Sequence, residues 1–406
     1  MPEAESKPLT SALQIPAYRA YFICGWFSTV GFWVFKMALG WAAWEKTQSP
    51  FWTGVIVAST LAPTFLLTPV FGVFADRWRI KRSMMTITFG GGLVSLAFAI
   101  GAYSELLNVS YMIFFGLLHG VLVAAYSPMR LSVMPRLVPK SLYLSAAGLG
   151  AFVFNFSRIV GPVVGGIVIA KYGVVLAFFI SSISSFLYVL FFMRVTLTPK
   201  EGKPLERRSL VRELIDGVIY LRQLPGAMMI VLLTGLNGLL GRSFFEILPA
   251  YNGAVLESGA EGLATLTAAS GAGAACLGIY LQISRSGKQG SMLSMVIVLA
   301  LSCLALQALG LTSQMLVAAL LSAAMGFLAT YIGVLVQTQL QVTTDDNHRG
   351  RVMSIWTTVS LGVPAIGAFM LGGLGSLFGV SGSLLISGTL GLVVLVIVLV
   401  ANKRTA

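Results

Sequence analysis

Long apolar runs separated by short polar breaks constrain this chain more than any other feature of its sequence. A helix that crosses a bilayer needs about 20 mostly apolar residues, and the 406-residue chain contains twelve such runs. The runs cover approximately 17–44, 51–75, 83–104, 108–134, 141–170, 174–195, 226–251, 260–284, 290–310, 313–342, 350–375 and 380–401. The last division rests on the turn between Gly375 and Gly382. The sequence therefore predicts an all-α integral membrane protein with 12 transmembrane helices.

The composition supports this prediction and argues against a soluble class. Hydrophobic residues make up 57% of the chain and charged residues only 10%, whereas a soluble domain carries about 25% charged residues. The net charge is +13, which in a soluble protein would point to nucleic acid. A chain with so little polar surface has no place for a basic patch, so no nucleic-acid partner is expected.

The basic residues predict which side of the membrane each loop faces. If both termini are cytoplasmic, 22 of the 27 Lys and Arg residues lie in loops or span ends on the cytoplasmic side. Lys46 and Lys171 lie on the opposite side. Cytoplasmic loops carry an excess of basic residues, so we predict that both termini are cytoplasmic. Residues 1–16 are polar, and the first span is expected to act as its own insertion signal.

A polar interruption at 196–225 divides the spans into six and six. We predict an N-terminal bundle at 1–195, a cytoplasmic linker at 196–225 and a C-terminal bundle at 226–406. Apolar residues from Leu210 to Leu221 recur at helical spacing within the linker. This spacing indicates an amphipathic helix at the membrane surface. A flexible linker is the alternative.

An offset of 206 residues relates the two halves. It places Lys36 on Arg242, and it aligns several pairs of glycines. The glycine pairs are Gly72 with Gly278, Gly161 with Gly367, Gly166 with Gly372 and Gly173 with Gly379. Two related six-span halves form pseudo-symmetric bundles that can rock about a central site, which is the physical basis of alternating access.

The loop after the second span carries a recognisable motif, which reads Gly72-Val-Phe-Ala-Asp76-Arg77-Trp-Arg79-Ile-Lys81-Arg82. It resembles the signature loop of the major facilitator superfamily, although the family usually has a second glycine where this chain has Arg79. The resemblance implies the major facilitator fold and a cytoplasmic gate in which Asp76 contacts Arg130 or Arg351. Gly72 is expected to allow close helix packing at that gate. The gate candidates are Gly72, Asp76, Arg77, Lys81, Arg82, Arg130 and Arg351. A generic basic loop is the alternative.

The fifth span carries Gly161-Pro162-Val-Val-Gly165-Gly166. This segment is similar to the motif that the superfamily associates with antiport and export. Proline removes a backbone donor and glycine permits close approach, so the segment is expected to be a bend with a tight packing surface. Simple helix packing without an antiport role is the alternative.

Residues 125–139 and 345–354 resemble the branch that contains enterobactin-type siderophore exporters, macrolide efflux pumps and, more distantly, lysophospholipid transporters. The resemblance covers essentially the whole chain. It implies a multi-pass protein of the bacterial cytoplasmic (inner) membrane, expected to act as a monomer.

Ionisable residues inside the predicted spans need a reason, because each costs about 2.5–3.5 kcal/mol near mid-bilayer. The candidates for the central cavity are Lys36, His119, Arg158, Arg242 and Glu246, with the polar residues Asn155, Asn237, Gln337 and Gln341. Arg242 and Glu246 are four residues apart and share one face of a regular helix. In the family, spans one, four, seven and ten line the cavity.

Glu246 is the only carboxylate well inside any predicted span, and it is therefore the leading candidate for proton coupling. Two alternatives remain open for it, a static salt bridge and direct contact with substrate. His119 is either a packing histidine or a proton relay. Aromatic residues near the same depth either stack on a flat substrate ring or face lipid: Phe32, Trp33, Phe244 and Phe245.

No metal-ligand cluster, nucleophile triad or phosphate-binding glycine loop is recognisable in the sequence. Cys24, Cys276 and Cys303 all lie in apolar runs and are expected to pack. We therefore expect no cofactor and no enzymatic activity. The predicted function is proton-coupled export of an amphipathic small molecule, siderophore-like or drug-like, and the excess of embedded cations favours an anionic or zwitterionic one. The alternatives are a lysophospholipid flippase without proton coupling and a sensor of transporter fold that moves nothing.

Overall fold

The computed structural model describes residues 11–75, 78–198, 210–224, 226–283 and 292–405. These residues form helices joined by short turns. The α-helices are α1 (Pro16–Thr47), α2 (Pro50–Ala75), α3 (Ile80–Tyr103), α4 (Val109–Val133), α5 (Tyr143–Phe192), α6 (Leu210–Gln223), α7 (Ala227–Leu236), α8 (Phe244–Tyr251), α9 (Gly259–Ile283), α10 (Met292–Leu311), α11 (Met315–Thr343) and α12 (Asp346–Thr405). Two π-helical segments, Asn237–Arg242 and Asn252–Leu256, flank α8.

Ten helical segments among the described residues are long and apolar enough to cross a membrane. One of them, Ala227–Leu256, combines α7, α8 and both π-helical segments, and α6 is not among the ten. The prediction of a multi-pass helical membrane protein is confirmed. The structure gives ten segments where the sequence predicted twelve, because two predicted pairs of spans each form one longer segment.

These two segments, α5 and α12, are each interrupted by a glycine. The backbone leaves the helical region at Gly173, with φ 79° and ψ 175°, and at Gly379, with φ 74° and ψ 160°. Such dihedral angles are essentially restricted to glycine. Both interruptions lie where the sequence divided a pair of spans, and the two glycines are aligned by the offset of 206 residues.

Other contacts follow the same offset. A Cβ at Gly161 would overlap Trp33 of α1, and a Cβ at Gly367 would lie 2.7 Å from the carbonyl oxygen of Leu239. Leu239 is the residue that the offset aligns with Trp33. The two halves of the sequence therefore use equivalent positions for equivalent helix packing.

The same holds for the contacts between the halves. A Cβ at Gly166 would lie 3.2 Å from the carbonyl oxygen of Ala260, and a Cβ at Gly372 would lie 3.3 Å from the Cα of Gly54. The offset aligns Gly54 with Ala260. Two symmetry-related contacts thus join α5 to α9 and α12 to α2.

We call the end of the bundle that carries the α1–α2 turn at Gln48 the distal end. Several close contacts join the halves there. A Cβ at Gly375 of α12 would lie 2.9 Å from the Cβ of Pro50, and the rings of Phe51 and Phe369 are 5.7 Å apart. Close packing of small residues and aromatic rings therefore closes the distal end.

The predicted linker helix is present as α6. The side chains of Leu210, Val211, Leu214 and Ile215 lie outside the described part. Leu221 is buried, and the Tyr220 hydroxyl donates to Asp345 Oδ2 at 3.2 Å. α6 is therefore attached at the junction between α11 and α12.

Candidate functional site

An ion pair joins the two halves inside the bundle. The Lys36 ammonium of α1 donates to Glu246 Oε1 of α8 at 2.6 Å. The Glu246 side chain is 8% exposed and that of Lys36 is 30% exposed. The second oxygen, Glu246 Oε2, is buried without a hydrogen-bond partner. The pair is thus partly open to solvent from the Lys36 side and protected on the Glu246 side.

Close packing of α1 on α8 sets this geometry. One turn beyond Lys36, a Cβ at Gly40 would lie 2.7 Å from Cγ of Pro249. One turn further along α1, the Trp44 indole would overlap a Cβ at Gly253 of the π-helical segment that follows α8. Because glycine lies on both sides of this contact, the backbones approach closely enough for Lys36 to reach Glu246 directly.

The π-helical segment before α8 changes how Arg242 relates to Glu246. The interpretation of these residues as neighbours on one face assumed 3.6 residues per turn. The π-helix ends at Arg242, and α8 begins at Phe244. Glu246 pairs with Lys36 of the other half, and Arg242 remains within electrostatic range of the carboxylate. Of the two cations that the sequence offered as partners of Glu246, Lys36 forms the ion pair described in the structure.

Arg158 of α5 lies between aromatic rings from both halves. Its guanidinium carbon is 6.0 Å from the ring centroid of Trp33 and 5.5 Å from that of Phe245. It is also within electrostatic range of Arg242 and Glu246. The Lys36 ammonium is 5.6 Å from the same Trp33 ring. Cations within about 6 Å of an aromatic face are attracted by its quadrupole. The Trp33 ring therefore makes cation–π contacts with both Lys36 and Arg158.

Sequence reasoning did not single out Trp33 and Phe245 from the other aromatic residues at this depth. A signal was present, because Trp33 lies one helical turn before Lys36 and Phe245 is adjacent to Glu246. For Phe244 the lipid-facing interpretation is wrong, since its side chain is fully buried and its ring is 6.0 Å from that of Tyr251.

His119 of α4 packs among aromatic rings. Its ring is stacked on Phe35 with centroids 4.2 Å apart, and the Phe32 centroid is 6.3 Å away. Its Nδ1 atom is buried without a hydrogen-bond partner. These contacts favour the packing role over the proton relay.

The predicted polar residues of the cavity are not brought together by hydrogen bonds described in the structure. Asn237 opens the first π-helix and donates from Nδ2 to the carbonyl of Ala329 at 3.3 Å, while its Oδ1 is buried and unpaired. Asn155 donates to the carbonyl of Ala151 in its own helix. Gln337 is partly buried and Gln341 is exposed. Of these four residues, Asn237 lies in the same π-helical segment as Arg242.

The motif of the fifth span lies in α5, and its glycines contact different partners. Gly161 packs on Trp33, a Cβ at Gly165 would lie 3.5 Å from the sulfur of Met37, and Gly166 packs on Ala264 of the other half. Pro162 lies inside the helix. The motif is a tight packing surface, as expected, and it contacts both α1 and α9.

Three of the seven predicted gate residues lie outside the described part of the chain. Asp76 and Arg77 are not described, nor is the side chain of Arg351, so the proposed contact of Asp76 remains a prediction. No described atom lies within 4 Å of a Cβ at Gly72, and its close packing at the gate also remains a prediction. The remaining three basic residues are Lys81, which donates to the carbonyl of Met193 at 2.7 Å, and the exposed residues Arg82 and Arg130.

The site offers charge and aromatic surface rather than covalent chemistry. Two cations, Lys36 and Arg158, and the Glu246 carboxylate meet near two aromatic faces, at the boundary between the halves. Among the described residues, no group of three or more His, Cys, Asp or Glu side chains is placed to hold a metal ion. Such an arrangement of charges and rings is suited to a charged, partly aromatic solute.

The chain matches known transporters over nearly its whole length. Residues 8–405 match the family model described as "Transmembrane secretion effector". The enterobactin exporter EntS of Shigella boydii serotype 18 is 28% identical over 392 residues, covering 94% of this chain and 92% of that protein. EntS of Escherichia coli O81 is 27% identical over 391 residues, with the same coverage.

Solved structures establish the fold. The nucleoside transporter NupG (D323A mutant) has a TM-score of 0.77 at 11% identity, covering 95% of this chain and 99% of that one. The POT family transporter PepTSo has a TM-score of 0.73 at 15% identity, covering 98% of this chain and 99% of that one. The protein is a multi-pass membrane transporter of small molecules and not an enzyme. The chain belongs to the transmembrane secretion effector family of the major facilitator superfamily, in the branch of the siderophore exporters.

Proposed function

We propose that the protein is a secondary active exporter that moves an amphipathic, anionic small molecule out of the cytoplasm in exchange for protons. The names of its relatives support a siderophore as the substrate. The excess of embedded cations over carboxylates supports a negatively charged one, because a buried anion needs a compensating charge.

The architecture that goes with this function has twelve membrane crossings. At about 1.5 Å per residue, the 50 residues of α5 and the 60 residues of α12 are each more than twice the roughly 30 Å of a bilayer core. We infer that each crosses twice and turns at its glycine. The bundles are then 1–195 and 226–406, joined by the linker 196–225, in a monomer with both termini in the cytoplasm.

The observation that carries the mechanism is the ion pair between Lys36 and Glu246. It joins the halves at 2.6 Å, so the distal end cannot open without breaking it or moving both residues together. Protonation of Glu246 removes the negative charge and frees Lys36. A substrate anion can instead take the place of the carboxylate at Lys36. Either event alone breaks the pair and lets the halves rock apart, so proton and substrate can cross in alternate halves of the cycle.

The test uses the purified protein in vesicles with an imposed pH gradient and enterobactin as the probe. We expect the gradient to drive accumulation of the probe, and we expect Glu246→Gln to abolish that accumulation while probe binding stays measurable. Glu45→Gln is the matched control, because Glu45 is exposed near the distal end of α1. It should transport like the parent protein.

Three outcomes would contradict parts of this proposal. Accumulation by Glu246→Gln against a gradient would remove Glu246 from coupling. Flux that ignores the pH gradient would exclude antiport and favour a facilitator of the lysophospholipid type. Full biological activity of both Asp76→Asn and Glu246→Gln would favour a sensor that moves no substrate.

A further inference from the structure

We propose that Gly161 is a positioning residue of the central site, because it holds the Trp33 indole where that ring faces both Lys36 and Arg158. The functional meaning of this inference rests on the role proposed above for the ion pair. According to this inference, the glycine of the fifth-span motif positions a side chain of the site in addition to packing two helices together.

The first step is the contact between α5 and α1. A Cβ at Gly161 would overlap the Cβ of Trp33, and it would lie 3.4 Å from the Cα of Trp33 and 3.3 Å from the carbonyl oxygen of Val30. These atoms belong to the α1 backbone or to the root of the side chain, so a change of rotamer cannot move them away. Any larger residue at position 161 must displace α1 at Trp33.

The second step is what holds the indole. Trp33 Nε1 is buried and has no hydrogen-bond partner among the described residues, so no directional bond described for this nitrogen fixes the ring. Packing fixes it instead: the ring of Phe154 lies 5.7 Å away in an edge-to-face arrangement. The position of the ring therefore depends on how closely α1 approaches α5, which is the distance that Gly161 controls.

The third step leads from the ring to the charges. The Trp33 centroid is 5.6 Å from the Lys36 ammonium and 6.0 Å from the Arg158 guanidinium. Lys36 lies one turn after Trp33 on the same helix and reaches Glu246 of the other half at 2.6 Å. A displacement at Trp33 thus changes both cation–π contacts and the geometry of the pair between the halves.

Gly165 provides a matched control within the same motif. It lies one turn further along α5 and also faces α1, but a Cβ there would be 3.5 Å from the Met37 sulfur and 3.6 Å from the Cα of Val34. These are ordinary van der Waals distances. Gly165→Ala therefore adds the same methyl group to the same helix without displacing α1.

The first measurement reports on Trp33 itself and needs no substrate. The six tryptophans other than Trp33 are replaced by phenylalanine, and the fluorescence emission and acrylamide quenching of Trp33 are recorded in detergent. We expect Gly161→Ala to shift the emission maximum and to raise the quenching constant several-fold, and Gly165→Ala to leave both unchanged. Equal quenching in Gly161→Ala and its parent would overturn the proposal.

The second measurement tests whether Gly161 acts through Trp33. Initial rates of pH-driven enterobactin transport are compared for Gly161→Ala, Trp33→Gly and the double variant. If the glycine acts through Trp33, the double variant is no slower than Trp33→Gly alone, because both the overlapping Cβ and the indole are then absent and effects on one chain of contacts do not add. Two independent losses that multiply would contradict the positioning role. The fluorescence result stands even if Glu246 proves not to couple protons, so the two proposals fail separately.

Gly161→Ala could reduce the yield of folded protein, and a second pair of variants covers that case. In a Trp33→Gly background the overlapping Cβ is absent, so Gly161→Ala should recover a monodisperse, folded protein. Recovery supports the contact. Loss of folding in both backgrounds would show that Gly161 is needed for another reason and would overturn the proposal.

Discussion

The two oxygens of Glu246 have different surroundings, and this difference bears on what the residue does. Oε1 accepts a hydrogen bond from Lys36, whereas Oε2 is buried without a partner among the described residues. A buried polar atom left without a partner costs about 1–3 kcal/mol. A salt bridge with a purely structural role would be more stable if both carboxylate oxygens accepted hydrogen bonds. The bare oxygen instead leaves a place for a proton or for a donor group of the substrate, which supports the switching role proposed for Glu246.

His119 allows a test that separates packing from proton transfer. Its ring is stacked on Phe35, and its Nδ1 has no acceptor. We predict that His119→Phe keeps the rate of transport within about twofold and leaves the melting temperature equal or higher, because an unsatisfied buried nitrogen worth about 1–3 kcal/mol is removed. The measurements are transport in vesicles and thermal unfolding in detergent. A loss of proton-driven transport with unchanged stability would make His119 a relay.

The sequence identified the charged residues of the site but did not decide how they pair. Lys36, Arg158, Arg242 and Glu246 stood out because charges inside apolar spans are costly. Both Lys36 and Arg242 were candidate partners of Glu246, and helical spacing alone relates only residues of one helix. The ion pair that forms joins residues separated by 210 positions, and it depends on the close approach of α1 and α8 at Gly40.

At the scale of the elements, the interruptions of α5 and α12 were predictable because glycine alone tolerates their backbone. Gly173 and Gly379 occupy the same unusual region of φ and ψ, and no described atom lies within 4 Å of a Cβ at either position. The constraint is therefore conformational rather than steric. It marks the points where we propose that the two helices leave the bilayer and return.

A substitution at this point should be destabilising for that reason. We predict that Gly379→Ala lowers the stability of the protein by about 1–3 kcal/mol, the cost of a non-glycine residue in this region. Gly373→Ala, in open space within the helical part of α12, should be neutral or stabilising by up to about 1 kcal/mol, since alanine is the better helix former. Thermal unfolding of both variants in detergent measures the difference. Equal stability of the two would mean that Gly379 relaxes into a continuous helix.

The π-helical segments are the elements that hydrophobic periodicity did not predict. Each begins with an Asn-Gly pair, at Asn237 and at Asn252, and each asparagine side chain is buried with an unpaired Oδ1. A π-helical turn contains one more residue than an α-helical turn, and the hydrophobic pattern of a continuous apolar run does not reveal it. π-helical turns are frequent at functional sites, and here they flank the segment that carries Glu246.

At the scale of the whole molecule, the internal repeat accounts for the way the halves meet. Gly166 packs on α9 as Gly372 packs on α2, so the boundary has the same small-residue contact on both sides of the ion pair. We propose that the halves separate at the distal end once the pair between Lys36 and Glu246 is broken.

Locking the distal end should consequently stop transport. In a background with Cys24, Cys276 and Cys303 replaced by serine, Pro50→Cys with Gly375→Cys places two thiols across the boundary, where the corresponding Cβ atoms are 2.9 Å apart. Disulfides need Cβ atoms about 3.5–4.5 Å apart, so a small relaxation suffices. We predict that oxidation reduces transport to background and that reduction restores it.

A second cysteine pair, placed inside one half, serves as the control. It shows whether transport stops because the distal end is locked or because any disulfide is present. The hydroxyl oxygens of Ser95 and Ser181 are 3.2 Å apart and both belong to the N-terminal half. Oxidised Ser95→Cys with Ser181→Cys should transport like its reduced form, because a rocking motion moves each half as a body. Full transport by the oxidised pair at Pro50 and Gly375 would show that substrate crosses without opening the distal end, and alternating access about this boundary would then be wrong.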